Sequence, residues 1–504
     1  MNRLKRFMFN GILITLVALS VRFAALFLNV IITRRLGAGG MGLLSLVNSV
    51  FGFAVTFSTG GVSLAATRLC AEAFAKNDPQ YLKRSLRWCM GYALLLGIAA
   101  AVFLVLLADY IAATLLTVAE VASSLRILSV SMPIFSLSAV IGGYFTAAGR
   151  AWKNALGAVC EQAVKMAAVM LLFSLFRTDS DAASCFLVIA ATVAAELISG
   201  VFTYCLYRPD RNRACGAEGG AGLTFGAGKM LSIALPVALS SYIRSALVTF
   251  EHMLIPRGLT RAGAGAERAL ATYGVVQGMA FPVIFFPTSL LYSFTGLVIP
   301  EMTIAQKNDE RAQIRRICEK VMHFSLMFAF GCAGVLFVFA DCLGASLYHN
   351  AEAGVFIRVM APLIPVMYFD SAVDALLKGL GEHVYTMKVN VADALISLVL
   401  VALLVPKCGI GGYIFVVYVS ECINVAFSLW RLYRVAGVLP SLLRSMTLPL
   451  LGIMFFLPLG HPDLSGFLIL RFLLAIFMYL LFLCLCGCIG KEERQLFCKT
   501  FLGE

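Results

Sequence analysis

Several charged residues stand inside long apolar stretches: Arg22, Glu161, Lys165, Glu196, Arg244, Glu251, Asp370, Asp374, Asp393 and Glu421. A charge at the centre of a bilayer costs about 2.5–3.5 kcal/mol on insertion scales, so each must face a cavity or a partner. Arg22 and Arg244 are the pair with the clearest chemistry. Two guanidiniums facing one cleft grip a phosphate or diphosphate through bidentate hydrogen bonds; the alternative is a carboxylate partner for each on a neighbouring helix. Asp370, Asp374 and Lys378 recur every four residues and share a helix face. That face lines a polar pathway, binds a cation, or compensates itself internally. Glu161 and Lys165, also four apart, read as a local ion pair. Glu251 beside His252, just before Pro256, reads as an interfacial pair or as a group that titrates during a transport cycle.

Groups for catalysis are missing. The five histidines (252, 323, 349, 383 and 461) are scattered without metal-ligand spacing, and no serine nucleophile elbow is evident. The reading is therefore a non-enzyme with no metal and no cofactor, because moving a molecule between two sides needs no such constellation.

The elements that hold these residues follow from composition. Of 504 residues, 61% are apolar and 13% charged, against about 45–50% and about 25% in soluble domains. The apolar residues fall in blocks near the ~20 needed to cross a hydrocarbon core. The chain reads as an all-α polytopic membrane protein. An outer-membrane barrel is excluded because its strands would alternate apolar and polar residues. The net charge of +13 lies in short loops between blocks, so it marks topology and not nucleic-acid binding. The 15 cysteines form no CxxC pair and read as small buried thiols.

Fourteen spans are expected, near 8–33, 42–60, 89–108, 124–147, 154–176, 183–207, 229–254, 273–298, 320–340, 353–377, 385–406, 411–433, 443–460 and 465–488. With the N-terminus inside, most Lys and Arg fall in inner loops, which places both termini in the cytoplasm. The second segment stays helix-compatible from Gly42 to Ala75, about 51 Å at 1.5 Å per residue and too long for a ~30 Å core. It must bend or leave the membrane. Gly60-Gly61 is the expected break, with Arg68, Glu72 and Lys76 beyond it in water.

The chain also repeats itself. Lys76-Asn77-Asp78 matches Lys307-Asn308-Asp309, and Arg126, Pro133, Gly149 and Glu161 match Arg358, Pro365, Gly381 and Asp393 at nearly the same offset. An offset of six spans implies two parallel repeats related by an axis along the membrane normal. The expected organisation is an N-terminal lobe at 1–207, a linker at 208–228, a C-terminal lobe at 229–434, and an appended helix pair with tail at 435–504. Gly60, Gly61 and Pro236 are candidate hinges between open and closed states.

The first span with Arg22, its exit Ile32-Thr-Arg-Arg-Leu-Gly-Ala-Gly-Gly40, Gly60-Gly61 followed by Ala65-Ala-Thr-Arg68, and Pro133…Gly142-Gly-Tyr-Phe145 form an ordered set of motifs. Ala234-Leu-Pro236, Ile255-Pro-Arg-Gly-Leu259 and Gly379-Leu-Gly381 extend it. The whole resembles the stage V sporulation protein B group of polysaccharide exporters, within the multidrug/oligosaccharidyl-lipid/polysaccharide (MOP) superfamily of flippases and multidrug extrusion (MATE) pumps. The resemblance implies a V-shaped bundle in the bacterial cytoplasmic membrane that moves an undecaprenyl-diphosphate-linked saccharide by alternating access. Arg22 and Arg34 sit where lipid II flippases carry arginines, whereas Leu28 stands where they have a further one, and Thr146 where many relatives carry glutamine. The implied partners are the lipid-linked saccharide, membrane lipids and cell-wall synthesis enzymes. The competing readings are a cation-coupled drug exporter using Glu251, Asp370 or Asp374, and a non-transporting cell-wall scaffold.

Overall fold

A computed structural model describes residues 3–176, 180–215, 227–441, 443–460 and 468–488. All regular elements among them are helical. The chain divides into two compact units, residues 1–278 with 394–413, and residues 279–393 with 414–504.

The first unit opens with α1 (Arg3–Thr59), in which two helices meet at Gly37. Gly37 has φ 68°, the left-handed region that a side chain would resist. The chain breaks again at Gly60-Gly61 before α2 (Val62–Ala75), as its excess length demanded. Then come α3 (Pro79–Tyr110), α4 (Ala122–Ser129), α5 (Met132–Ala147), α6 (Ala151–Leu175), α7 (Asp181–Cys215), α8 (Ala227–Arg261) and α9 (Ala266–Gly274). Local chemistry sets the start of α3: Asp78 Oδ1 accepts from the Tyr81 amide at 2.9 Å, and Pro79 occupies the first turn, where its missing N–H costs nothing. The apolar core joins Leu69 of α2, Leu82 and Leu86 of α3, Tyr144 and Phe145 of α5, and Tyr207 of α7.

The second unit contains α10 (Phe281–Phe285), α11 (Thr288–Lys307), α12 (Arg311–Val338), α13 (Ala340–Tyr348), α14 (Ala351–Met360) and α15 (Ile364–Gly379), then most of α16 (His383–Ala436), α17 (Leu448–Met454) and α18 (Leu468–Leu485). Its main core joins Met302, Met322, Phe369 and Leu376. A second core forms where the C-terminal helices pack on α12 around Phe339, Phe456 and Tyr479. There the Tyr479 hydroxyl donates to the Met327 carbonyl at 2.7 Å.

Nine helices among the described residues are long and apolar enough to span a membrane, or up to 11 if each bent pair is one span. The protein is an integral membrane protein. The sequence count of fourteen differs in part because two of the nine, Val17–Ala75 and His383–Ala436, each hold two of the expected segments. The second of these, like α1, turns at a glycine, Gly409 with φ 60°.

Packing and sequence repetition partition the chain differently. Residues 229–278, expected at the start of the second lobe, pack into the first unit. The interlobe linker also begins later than its composition suggested, because α7 runs on through Pro209 to Cys215. The reason is Asp210, buried and paired with Arg150 and, at 2.8 Å, with Lys153. That carboxylate raises Arg150 above the ordinary guanidinium range by hydrogen bonding to it. Residues 216–226 of the expected linker lie outside the described residues, as do 461–467 and 489–504 of the expected C-terminal segment.

Candidate functional site

In the first unit, α8 is fixed to α1 along one face. Tyr242 donates to the Phe57 carbonyl at 3.1 Å, Ser245 to Thr56 Oγ1 at 3.3 Å, and Thr249 to the Ser49 carbonyl at 3.1 Å. At 100° per residue, Arg244 projects from a different face, which it shares with Glu251. Arg244 is exposed, and so is Arg22 on α1. Neither makes a hydrogen bond or ion pair among the described residues. No carboxylate among the described residues pairs with either guanidinium. Arg34, also exposed, lies three residues before the Gly37 break. Leu28 is 2% exposed, so this position turns into packed side chains, unlike Arg22.

The Gly60-Gly61 break is held from two sides. Tyr92 of α3 donates to the Gly60 carbonyl at 3.3 Å. A Cβ on Gly61 would stand 2.5 Å from the Ala234 carbonyl of α8. Just beyond, Glu72 accepts from Lys76 at 2.8 Å, from the Tyr81 hydroxyl at 3.0 Å, and from Lys229 at 2.6 Å. Pro236 sits exposed inside α8, two residues past Ala234. The three candidate hinges thus cluster where α2 meets α8. The Glu72–Lys229 link was invisible in sequence, since an acid and a base 157 residues apart give no periodic signal.

At the other end of α8, Glu251 and His252 part company. Ser397 donates to Glu251 Oε1 at 2.8 Å, while His252 Nδ1 shares a hydrogen bond with the Tyr273 hydroxyl at 3.1 Å. On α6, Glu161 and Lys165 form no direct ion pair among the described residues; the acidic charges acting on Lys165 are Glu161 and Glu196 of α7.

In the second unit, the Asp370–Asp374–Lys378 face divides. Asp374 pairs with Lys378 at 3.6 Å and accepts from Asn390 at 3.4 Å. Asp370 is buried and accepts from Asn424 at 3.0 Å. Asp393 accepts from Ser420 nearby. The result is a polar cluster spread over α15 and both ends of α16. Asn390, Ser420 and Asn424 escaped the sequence reading because neutral polar residues are cheap in an apolar segment. No group of three or more His, Cys, Asp or Glu arranged to hold a metal ion occurs among the described residues.

The sequence profile of the family described as Polysaccharide biosynthesis protein matches residues 7–302, more than half of the chain. The chain belongs to this family. Among curated relatives, it is 26% identical over 416 residues to Stage V sporulation protein B of Bacillus subtilis (strain 168), covering 81% of this chain and 80% of that protein. It is 20% identical over 385 residues to Sporulation protein YkvU of the same organism, covering 75% and 83%. Among solved structures, the fold resembles the lipid II flippase MurJ in an inward closed conformation, with TM-score 0.72, 11% identity and coverage of 94% and 99%. It also resembles an inward-facing MATE family multidrug resistance transporter of the MOP superfamily, with TM-score 0.67, 14% identity and coverage of 84% and 98%. The fold expected from the sequence motifs is that of these transporters.

Proposed function

We propose that this protein is a flippase for an undecaprenyl-diphosphate-linked saccharide, such as a lipid II-like peptidoglycan precursor, in the bacterial cytoplasmic membrane. The observation that carries the reading is the state of Arg22 and Arg244. Both stand in apolar helices, both are exposed, and neither has a carboxylate partner among the described residues. Leaving two guanidiniums so placed is costly unless an anionic ligand meets them. A diphosphate offers the planar pairs of oxygens that a guanidinium fork engages best. Arg34 adds positive charge beyond the first span. The polyprenyl tail stays in lipid while the headgroup passes, and Gly60, Gly61 and Pro236 supply the bends for alternating access between the expected lobes at 1–207 and 229–434. Family membership and the transporter fold support the reading.

The Asp370–Asp374 cluster favours a coupled cycle. Its buried carboxylate, Asp370, which accepts from Asn424, suits a proton or small cation better than a large cationic drug. Glu251, bonded to Ser397, is the corresponding candidate in the first unit.

Native mass spectrometry with lipid II, undecaprenyl diphosphate and a lipophilic cation tests the reading. The wild-type protein retains the diphosphate lipids, and Arg22→Ala/Arg244→Ala loses them. Equal retention by both proteins makes the arginines structural, and preferential retention of the cation supports a drug exporter instead.

A further inference from the structure

A cavity of about 390 Å³ opens between α3 and the C-terminal end of α7. Lys83, Arg87 and Arg211 line it, over a floor that includes Leu86, Met90 and Tyr207. Three cations share this wall, and among the described residues neither Lys83 nor Arg87 has a carboxylate partner. Arg211 lies with its guanidinium 5.9 Å from the Tyr207 ring and donates to Asn212 at 3.0 Å. Tyr207 itself is 0% exposed and belongs to the apolar core. The cavity therefore presents three cations to whatever enters it, a setting that favours an anion.

The position of the cavity says where that anion comes from. Lys83, Arg87, Met90, Leu94 and Ile98 follow one another at helical spacing along a single face of α3. Leu94 is 41% exposed and Ile98 49% exposed, so the cationic end of this face runs directly into an apolar end open to lipid. Trp88, next to Arg87 on α3, and Tyr204, one turn before Tyr207 on α7, are both exposed. Exposed Trp and Tyr between charged and apolar stretches mark the membrane–water boundary. A soluble anion would make no use of the apolar stripe, whereas a phospholipid uses both ends at once.

We infer that this cavity is a binding site for the headgroup of an anionic glycerophospholipid, with Lys83, Arg87 and Arg211 on the phosphate and the acyl chains along Leu94 and Ile98. Basic pockets between transmembrane helices at the membrane boundary are built for such headgroups. The site is separate from Arg22 and Arg244 and independent of the proposed substrate.

Native mass spectrometry of the detergent-purified protein tests it, with phosphatidylglycerol, phosphatidylethanolamine of the same chains, and inorganic phosphate as probes. Wild type should retain phosphatidylglycerol at least fivefold over phosphatidylethanolamine. Lys83→Gln/Arg87→Gln/Arg211→Gln should hold one tightly bound phosphatidylglycerol fewer, while Arg22→Ala/Arg244→Ala keeps that copy. Should the triple variant misfold, Lys83→Gln/Arg87→Gln, both at exposed positions, should still cut the retention of that copy severalfold. The inference is overturned if both lipids are retained equally, if the variants keep every copy, or if inorganic phosphate displaces the lipid and so shows a site for soluble anions.

Discussion

Glu72 accepts a hydrogen bond from Lys229 at 2.6 Å, tying the helix that follows the Gly60-Gly61 break to the first turn of α8. Lys76 and Tyr81 converge on the same carboxylate. Both partners are partly exposed, with Glu72 at 28% and Lys229 at 47%, and such a pair contributes about 1 kcal/mol or less. Its value lies in position, because whatever bends at Gly60-Gly61 carries Glu72 with it. Glu72→Lys should change thermal stability little and reduce transport several-fold, and Glu72→Lys/Lys229→Glu should restore it. Transport by the reversed pair no better than by Glu72→Lys alone would remove the link from the cycle.

Glycine substitutions should split by sign. Gly61, at φ 68° and against the Ala234 carbonyl, resists a side chain on both counts. Left-handed strain alone costs about 1–2 kcal/mol, so Gly61→Ala should lower the melting temperature and the transport rate. Gly91, inside α3 with nothing within 4 Å of an added Cβ, should gain up to about 1 kcal/mol on Gly91→Ala. Differential scanning fluorimetry of the two variants reads both signs.

Asp210 anchors the extension of α7. Its side chain is 7% exposed and Lys153 is 12% exposed, and removing one member of such a pair strands the other. Asp210→Ala should cost about 3 kcal/mol, reduced somewhat by the 45% exposure of Arg150. It should appear as low yield or a clearly lower melting temperature. A loss within experimental error would show that the pair contributes nothing.

Asp370 should decide the energy coupling. Asp370→Asn keeps the size and the Asn424 contact but removes the charge, so transport should lose its dependence on an ion gradient. Asp341→Asn, altering an exposed pair with Arg358, should leave that dependence intact. Gradient dependence unchanged in Asp370→Asn would make the acidic cluster structural.

The helices were legible because hydropathy is a local property: apolar blocks near membrane thickness marked the apolar helices but not their number, and the excess length of 42–75 pointed to the break at Gly60-Gly61. The exposed state of Arg22 and Arg244 was half legible, since their types and places marked them as costly in an apolar helix, but only packing shows that no carboxylate among the described residues pairs with them. The seating of α8 against α1 was not legible, because it depends on Tyr242 and Thr249 meeting backbone carbonyls, and Ser245 a threonine hydroxyl, nearly 200 residues away. Sequence repetition pointed the other way there, since duplication preserves residue order and not packing partners. Asn390 and Asn424 stayed hidden because they carry no charge that would look misplaced in an apolar segment.

The central claim is that Arg22 and Arg244 grip a diphosphate headgroup during transport. The most direct test reconstitutes the protein in proteoliposomes and follows a fluorescent undecaprenyl-diphosphate saccharide by quenching of outer-leaflet label. Wild type should move the lipid well above protein-free vesicles. Arg22→Ala/Arg244→Ala should slow it at least tenfold, since charge-assisted hydrogen bonds contribute about 1.5–3 kcal/mol each. Equal rates for the two proteins, or no movement above protein-free vesicles by the wild type, would contradict the account.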